Sequence, residues 1–230
     1  MTGKERILHI ETSTEICSVC ISEGERCIGS KLSDEPFVHT RQATLMIEAI
    51  FSEHGLKASD LDAISVSQGP GSYTGLRVGA SIAKGMCFGL NIPLIAIKTL
   101  KSIAHAASDA TSDHLYIPMI DARRMEVYLS QYDSELKPLV EDEPVILEEH
   151  DFTGLLSHYS KLVFCGNGSF KFEAAYSHPN YIFKRVVCDA KHLIPLAISK
   201  FRSKDFVNIG SFTPNYIKPA KVTKSKKSLF

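Results

Sequence analysis

Apolar and polar positions alternate closely at the start of the chain. Ile7–Thr12, Ile16–Ser22 and Cys27–Leu32 read as three short strands, with turn chemistry at Ser13-Thr14-Glu15 and Glu23-Gly24-Glu25. An antiparallel meander is their simplest path. The period then changes. Ala43, Ile47, Ile50, Phe51 and His54 share one helical stripe, which predicts a helix from Thr40 to His54 with Gly55 as its stop. A strand at Ala63–Ser67, a glycine-rich loop, an apolar helix at Leu76–Leu90 and a strand at Pro93–Ile97 form a β-α-β unit. Such a unit sets its strands parallel with a right-handed crossover. A meander joined to a parallel pair is a mixed sheet with helices, hence an α/β fold.

A helix at Leu100–Ala107 is followed by a small, polar run from Ala107 to Asp113, the best place for a domain boundary. The second series predicts strands at Leu115–Ile120 and Met125–Tyr132, an acidic loop through Glu143 and a helix over Glu149–His158. It continues with a strand at Lys161–Cys165, the loop Gly166-Asn167-Gly168 and a strand at Ile182–Val187. A helix at Ala190–Phe201 is kinked by Pro195. The order of elements suggests two α/β lobes on a duplicated plan: residues 1–106, residues 107–205, and a tail 206–230 that returns to the first lobe or stays loose. From Pro214 onward that tail has five lysines and no acid, the composition of a solvated segment.

Composition narrows the classes. With 230 residues, 44% of them hydrophobic, and a formal net charge of zero, the chain folds but has no global basic field for nucleic acid. No apolar run approaches the roughly 18 residues of a membrane span, and the N-terminus lacks a signal-peptide core, so a cytoplasmic location is expected. Six cysteines then read as reduced thiols. Cys17 and Cys20 have CxxC spacing, but on a strand they would point to opposite faces, and no second CxxC completes a zinc site.

The stretch Gln68-Gly69-Pro70-Gly71-Ser72-Tyr73-Thr74-Gly75-Leu76-Arg77-Val78-Gly79 stands where a strand passes into a helix, a context suited to holding an anion. It matches neither of the two strong phosphate fingerprints. Ser72 or Thr74 suits a helix cap better than a nucleophile. Gly75, Gly79 and Ala83 recur every four residues and form one flat strip, with Gly85 and Gly89 as a second small pair. Glycine in a helix costs roughly 1 kcal/mol against alanine, so something must approach closely: the sheet beneath, the first helix, or a partner.

Ile7-Leu8-His9-Ile10-Glu11-Thr12-Ser13-Thr14, Gly69 to Gly79, and Ile120-Asp121-Ala122-Arg123-Arg124 together resemble the TsaB (YeaZ) family of tRNA threonylcarbamoyladenosine biosynthesis. The resemblance implies a two-lobed actin/Hsp70/sugar-kinase (ASKHA) fold. It also implies a subunit without catalysis of its own that pairs with the transferase TsaD, with the ATPase TsaE completing the assembly. Contact with tRNA would be indirect, and the chain would self-pair as a homodimer when alone. ATP and metal would belong to the partner subunits, leaving this chain no intrinsic cofactor.

The residues agree with that picture. Where the catalytic relative carries an HxEGH-like stretch, this chain has Thr99-Leu100-Lys101-Ser102-Ile103, which offers no metal ligands of that kind. The alternative is an autonomous actin-fold ATPase or kinase using Glu11 and Asp121 for Mg²⁺. Glu11, Thr12, Asp121, Gly166 and Gly168 would then mark a residual nucleotide site. The family's partner surface would be the two long helices, with Leu45, Met46, Gly75, Gly79, Ile82, Ala83 and Met86 as the expected contacts.

Overall fold

The structure, a computed structural model, describes residues 5–33, 35, 39–109 and 113–218. Linker residues 110–112 and tail residues 219–230, which hold four of the five lysines, lie outside the described residues.

Two five-stranded sheets organise the chain. The first contains β1 (Arg6–Glu11), β2 (Ser18–Glu23), β3 (Arg26–Leu32), β4 (Ala63–Gly69) and β5 (Leu94–Lys98), in spatial order β3-β2-β1-β4-β5. The second contains β6 (His114–Asp121), β7 (Glu126–Tyr132), β8 (Pro138–Ile146), β9 (Lys161–Cys165) and β10 (Tyr181–Lys184), in order β10-β9-β6-β7-β8. Read from the other edge, the second order repeats the first. In each sheet an antiparallel meander continues into a parallel pair. The duplicated plan is therefore real at the level of topology.

Alternation divides each strand between two faces. Leu8 and Ile10 of β1 face a core shared with α1 (His39–His54) and α2 (Tyr73–Leu90). Ile7, one residue away, faces α5 (Ile194–Arg202) on the other side. The second sheet buries an aromatic cluster of Phe152, Phe164 and Phe172, with ring centroids 4.6 to 5.2 Å apart. Its opposite face packs on α3 (Thr99–Ala107).

Packing redraws the lobe boundary that the sequence places at 107. Leu100, Ile103, Ala104 and Ala107 of α3 are buried against Tyr116, Ile120 and Val163, so α3 belongs to the second sheet. Leu193, Ile194, Ala197 and Ile198 are buried against Ile7, Ala63 and Ile95, so α5 belongs to the first. The polar linker marks a break in the chain, whereas each helix goes where its apolar stripe finds a sheet. The described part of the tail meets the first lobe as far as Asn215, while Lys218 pairs with Glu126 of β7 in the second sheet. Val207 bridges Leu94, Phe212 enters the α1–α2 core, and the Asn215 N–H donates to the Gln68 carbonyl at 2.7 Å.

Four other expectations change. The acidic loop is β8, an edge strand in which charges and two prolines are tolerated because one side needs no ladder partner. The expected helix over 149–158 is two short 3-10 turns. A helix the pattern does not reveal, α4 (Ser169–Ala175), follows the Gly166–Gly168 loop. Residues 190–193 form a 3-10 turn before α5, with Pro195 in the first helical turn, where it costs no hydrogen bond. Cys17 also lies just before β2 rather than in it.

Candidate functional site

Two places merit attention: the end of the cleft where both lobes present their first hairpins, and the outer face of α1 and α2.

At the cleft, Glu11 ends β1 fully buried. Its Oε1 accepts the Ser13 N–H at 2.7 Å, and Oε2 has no hydrogen-bond partner among the described residues. Burial pushes its carboxyl above the usual range, and the hydrogen bonds from Ser13 only partly oppose that. Thr12 Oγ1 is buried near the Glu11 carboxyl without a hydrogen-bond partner among the described residues. The glycine loop closes over this turn: the Ser72 N–H donates to the Ser13 carbonyl at 2.7 Å, and a Cβ on Gly71 would collide with that carbonyl. Ser72 caps α2, its Oγ accepting the Gly75 N–H at 3.2 Å.

The opposite lobe is equally occupied. Asp121 Oδ1 accepts the Arg123 N–H at 2.6 Å and pairs with Lys171 Nζ of α4 at 2.5 Å. Lys171 also donates to the Arg124 carbonyl. Arg123 and Arg124 take left-handed backbone, with φ of 73° and 52°. Gly166 and Gly168 are present for close packing on β6: a side chain on Gly166 would meet the Met119 carbonyl at 2.5 Å, and the Gly168 N–H donates to the same carbonyl at 3.0 Å. Asn167 spans the cleft, donating from Nδ2 to Glu15 Oε2 at 3.0 Å and accepting the Asp121 N–H at 3.0 Å. Farther along, Lys98 pairs with Glu141 at 2.5 Å and approaches the buried Asp142 at 3.9 Å. Asp121 and the Gly166–Gly168 loop are thus engaged within the chain, whereas Glu11 Oε2 and Thr12 Oγ1 have no hydrogen-bond partner among the described residues. Among the described residues, no three His, Cys, Asp or Glu side chains converge to hold a metal.

The helical face is different. α1 and α2 leave between them a groove of about 470 Å³, walled by Ile47, Phe51, Ile82 and Met86, with Thr44 and Glu48 along it and Gly85 in its wall. Leu45 is 58% exposed and Phe88 83% exposed. Met46, Ile82 and Met86 are half-buried, with one side on the core. Gly75, Gly79 and Ala83, in contrast, point inward and are buried. A Cβ on Gly79 would strike Thr12 Oγ1 and approach Val66 at 3.4 Å. These three belong to α2's seat on its own sheet, which corrects the expectation that a partner meets them. Gly85 and Gly89 have open space where a Cβ would stand.

Sequence reasoning missed two residues. Lys171 sits in a helix of seven residues, too short for a periodic signal. Phe88 reads as one more apolar position on a helix apolar all round, and only the packing reveals it as outward.

Two sheets of identical order with helices on both faces define a two-lobed ASKHA-like α/β protein. The family model described as TsaD: tRNA N6-adenosine threonylcarbamoyltransferase matches residues 38–211. The "tRNA threonylcarbamoyladenosine biosynthesis protein TsaB" of Haemophilus influenzae is 40% identical over 126 residues, 54% of this chain and 52% of that protein. Its namesake in Escherichia coli is 34% identical over 130 residues, 56% of each chain. The matched stretch thus spans just over half the length of these two curated relatives. A Pseudomonas aeruginosa crystal structure, described as an uncharacterized protein with similarity to peptidase YeaZ, superimposes with a TM-score of 0.81 at 25% identity, covering 93% of this chain and all of that one. The chain belongs to this family, as one of its TsaB (YeaZ) members.

Proposed function

We propose that this chain is a non-catalytic partner of a TsaD-type transferase in forming threonylcarbamoyladenosine in tRNA, and that it docks through the α1–α2 face. The observation that carries the reading is the apolar groove between the two helices, flanked by Leu45 and Phe88 in water. Exposed apolar surface of this kind is the usual mark of a protein contact. The ion pair between Asp121 and Lys171 supports the non-catalytic half of the reading, since a cation of the chain itself already neutralises that carboxylate.

The mechanism is differential binding: holding TsaD in its active arrangement shifts a population and alters no chemical step. ATP and metal come from TsaD and TsaE, tRNA is met indirectly, and without TsaD the same face pairs two copies of the chain. The test is co-purification with TsaD together with a tRNA modification assay, using Met86→Glu and Phe88→Glu. Loss of a central apolar anchor costs about 2 kcal/mol or more, so complex formation falls roughly thirtyfold and modification falls with it. Unchanged binding by well-folded variants overturns the proposal.

A further inference from the structure

After α5 the chain runs back along the edge of the first sheet, where the Val207 N–H donates to the Leu94 carbonyl at 3.0 Å. Phe212 enters the core under α1 and α2, and its carbonyl accepts a hydrogen bond from Lys84 Nζ of α2 at 2.9 Å. The Asn215 N–H reaches the Gln68 carbonyl near the end of β4. A Cβ on the next residue, Gly69, would stand 2.7 Å from the Asn215 carbonyl, so the tail lies directly on that turn. Tyr216 packs on Tyr73 in the first turn of α2 with ring centroids 4.8 Å apart, and the Arg77 guanidinium lies 5.6 Å from the Tyr73 centroid. Two residues later the chain is in the other lobe, where Lys218 pairs with Glu126. Glu126 closes the hairpin that carries Asp121, its carbonyl accepting the Ala122 N–H at 3.0 Å.

The two ends of this segment are held with unequal strength. On the first lobe it is fixed by a buried aromatic ring, backbone and side-chain hydrogen bonds and a ring pair. On the second lobe it is held by the Lys218–Glu126 pair, whose side chains are 35% and 24% exposed. A partly exposed ion pair shifts an equilibrium by about fivefold at most. The other polar crossings, Lys98 with Glu141 and Asn167 with Glu15, join residues of the sheets and their loops, so neither has an end that can leave one lobe while staying on the other.

We propose that residues 212–218 are a charge-latched clasp across the mouth of the cleft, anchored on α2 and released from the second lobe when the Lys218–Glu126 pair parts. With the latch shut, the tail ties the glycine loop of the first lobe to the Asp121 hairpin of the second, and the lobes keep one spacing. With it open, the tail keeps its seat on α2 through Phe212 and Tyr216 while the second lobe moves free of it. The spacing of the lobes then varies without either of them unfolding.

The test uses the full chain with spin labels on azide-bearing residues introduced at the exposed Ser59 and Ser177, one in each lobe, which leaves the native cysteines untouched. Pulsed dipolar spectroscopy at low salt should give one distance for the parent. Lys218→Gln and Glu126→Gln should each add a longer population, raising the open-to-closed ratio by up to about fivefold. The double variant should match either single one, because two residues of one pair do not act additively. Salt at 1 M, where the screening length is ~3 Å, should open the parent at least as far. Amide exchange of Asn215 should stay at the parent's rate in both variants, since the anchored end does not move. Unchanged distances in the two single variants, effects that add in the double variant, or faster exchange at Asn215 overturns the proposal.

Discussion

The two sides of α2 carry the same kind of residue in opposite surroundings. Inward, Gly79 lets the helix lie against Thr12 and Val66 so closely that no side chain fits. Outward, Gly85 borders a groove, and no atom of the described residues lies within 4 Å of where a Cβ would stand. A small residue toward the molecule's own sheet sets the distance between layers. A small residue toward solvent, at a cost in helix propensity, leaves room for something else. Both look alike in a sequence, and only the neighbouring atoms separate them.

The sharpest way to break this comparison is to fill the inward side. Gly79→Val should destabilise the isolated chain by about 3 kcal/mol, the upper end for overpacking a close-packed interior, read as a lower denaturant midpoint at unchanged slope. The smaller Gly79→Ala should lose less. Thr12→Ala, which removes the colliding hydroxyl, should recover much of that loss in the double variant, because residues in contact do not act additively. If Gly79→Val leaves the midpoint in place, the helix does not sit on the hairpin as described.

The strand beneath that contact supplies a second, smaller effect. His9 is fully buried, with Nδ1 2.7 Å from Ser65 Oγ and Nε2 2.9 Å from Ser22 Oγ, and burial pushes its pKa from 6.5 down to about 3. The folded state therefore holds the neutral ring, while the unfolded chain takes up a proton below its ordinary value. Stability from this group is whole above pH 6.5 and drains as the pH falls toward 3, at ~1.4 kcal/mol per unit. Glu11, with its carboxyl raised, has the opposite sign: its contribution is present below the ordinary value and is lost as pH rises. Comparing the parent with His9→Gln isolates the histidine. Denaturant midpoints between pH 6.5 and 5 should fall less steeply in the variant, and parallel profiles would show that His9 does not titrate on unfolding.

How much of this could be read in advance follows from what each signal depends on. The first sheet was legible because its strands alternate and its helices carry wide apolar stripes. β8 was not, since Glu141, Asp142, Glu143 and two prolines are the composition of a loop and are tolerable only on an edge strand. The exchange of α3 and α5 between lobes left no local trace either, because an amphipathic helix does not record which sheet covers it. At the candidate site, Glu11 and Asp121 were found as carboxylates at strand ends. Their state depends on Ser13 two residues away and on Lys171 fifty residues away, and the second kind of distance is invisible to spacing.

The smallest effect tests the outward half of the comparison. In the isolated chain, Gly85→Ala removes a flexible residue from the interior of α2 and meets no neighbouring atom within 4 Å. It should therefore stabilise the chain by about 1 kcal/mol. The same methyl group stands in the wall of the groove. If a partner helix closes on that face, Gly85→Ala should weaken complex formation while raising the thermal midpoint of the free protein. Opposite signs in the two measurements would mark Gly85 as a residue kept small for a partner. A gain in stability with no loss of binding would mean that the contact lies along Leu45 and Phe88, over the rim of the groove instead of within it.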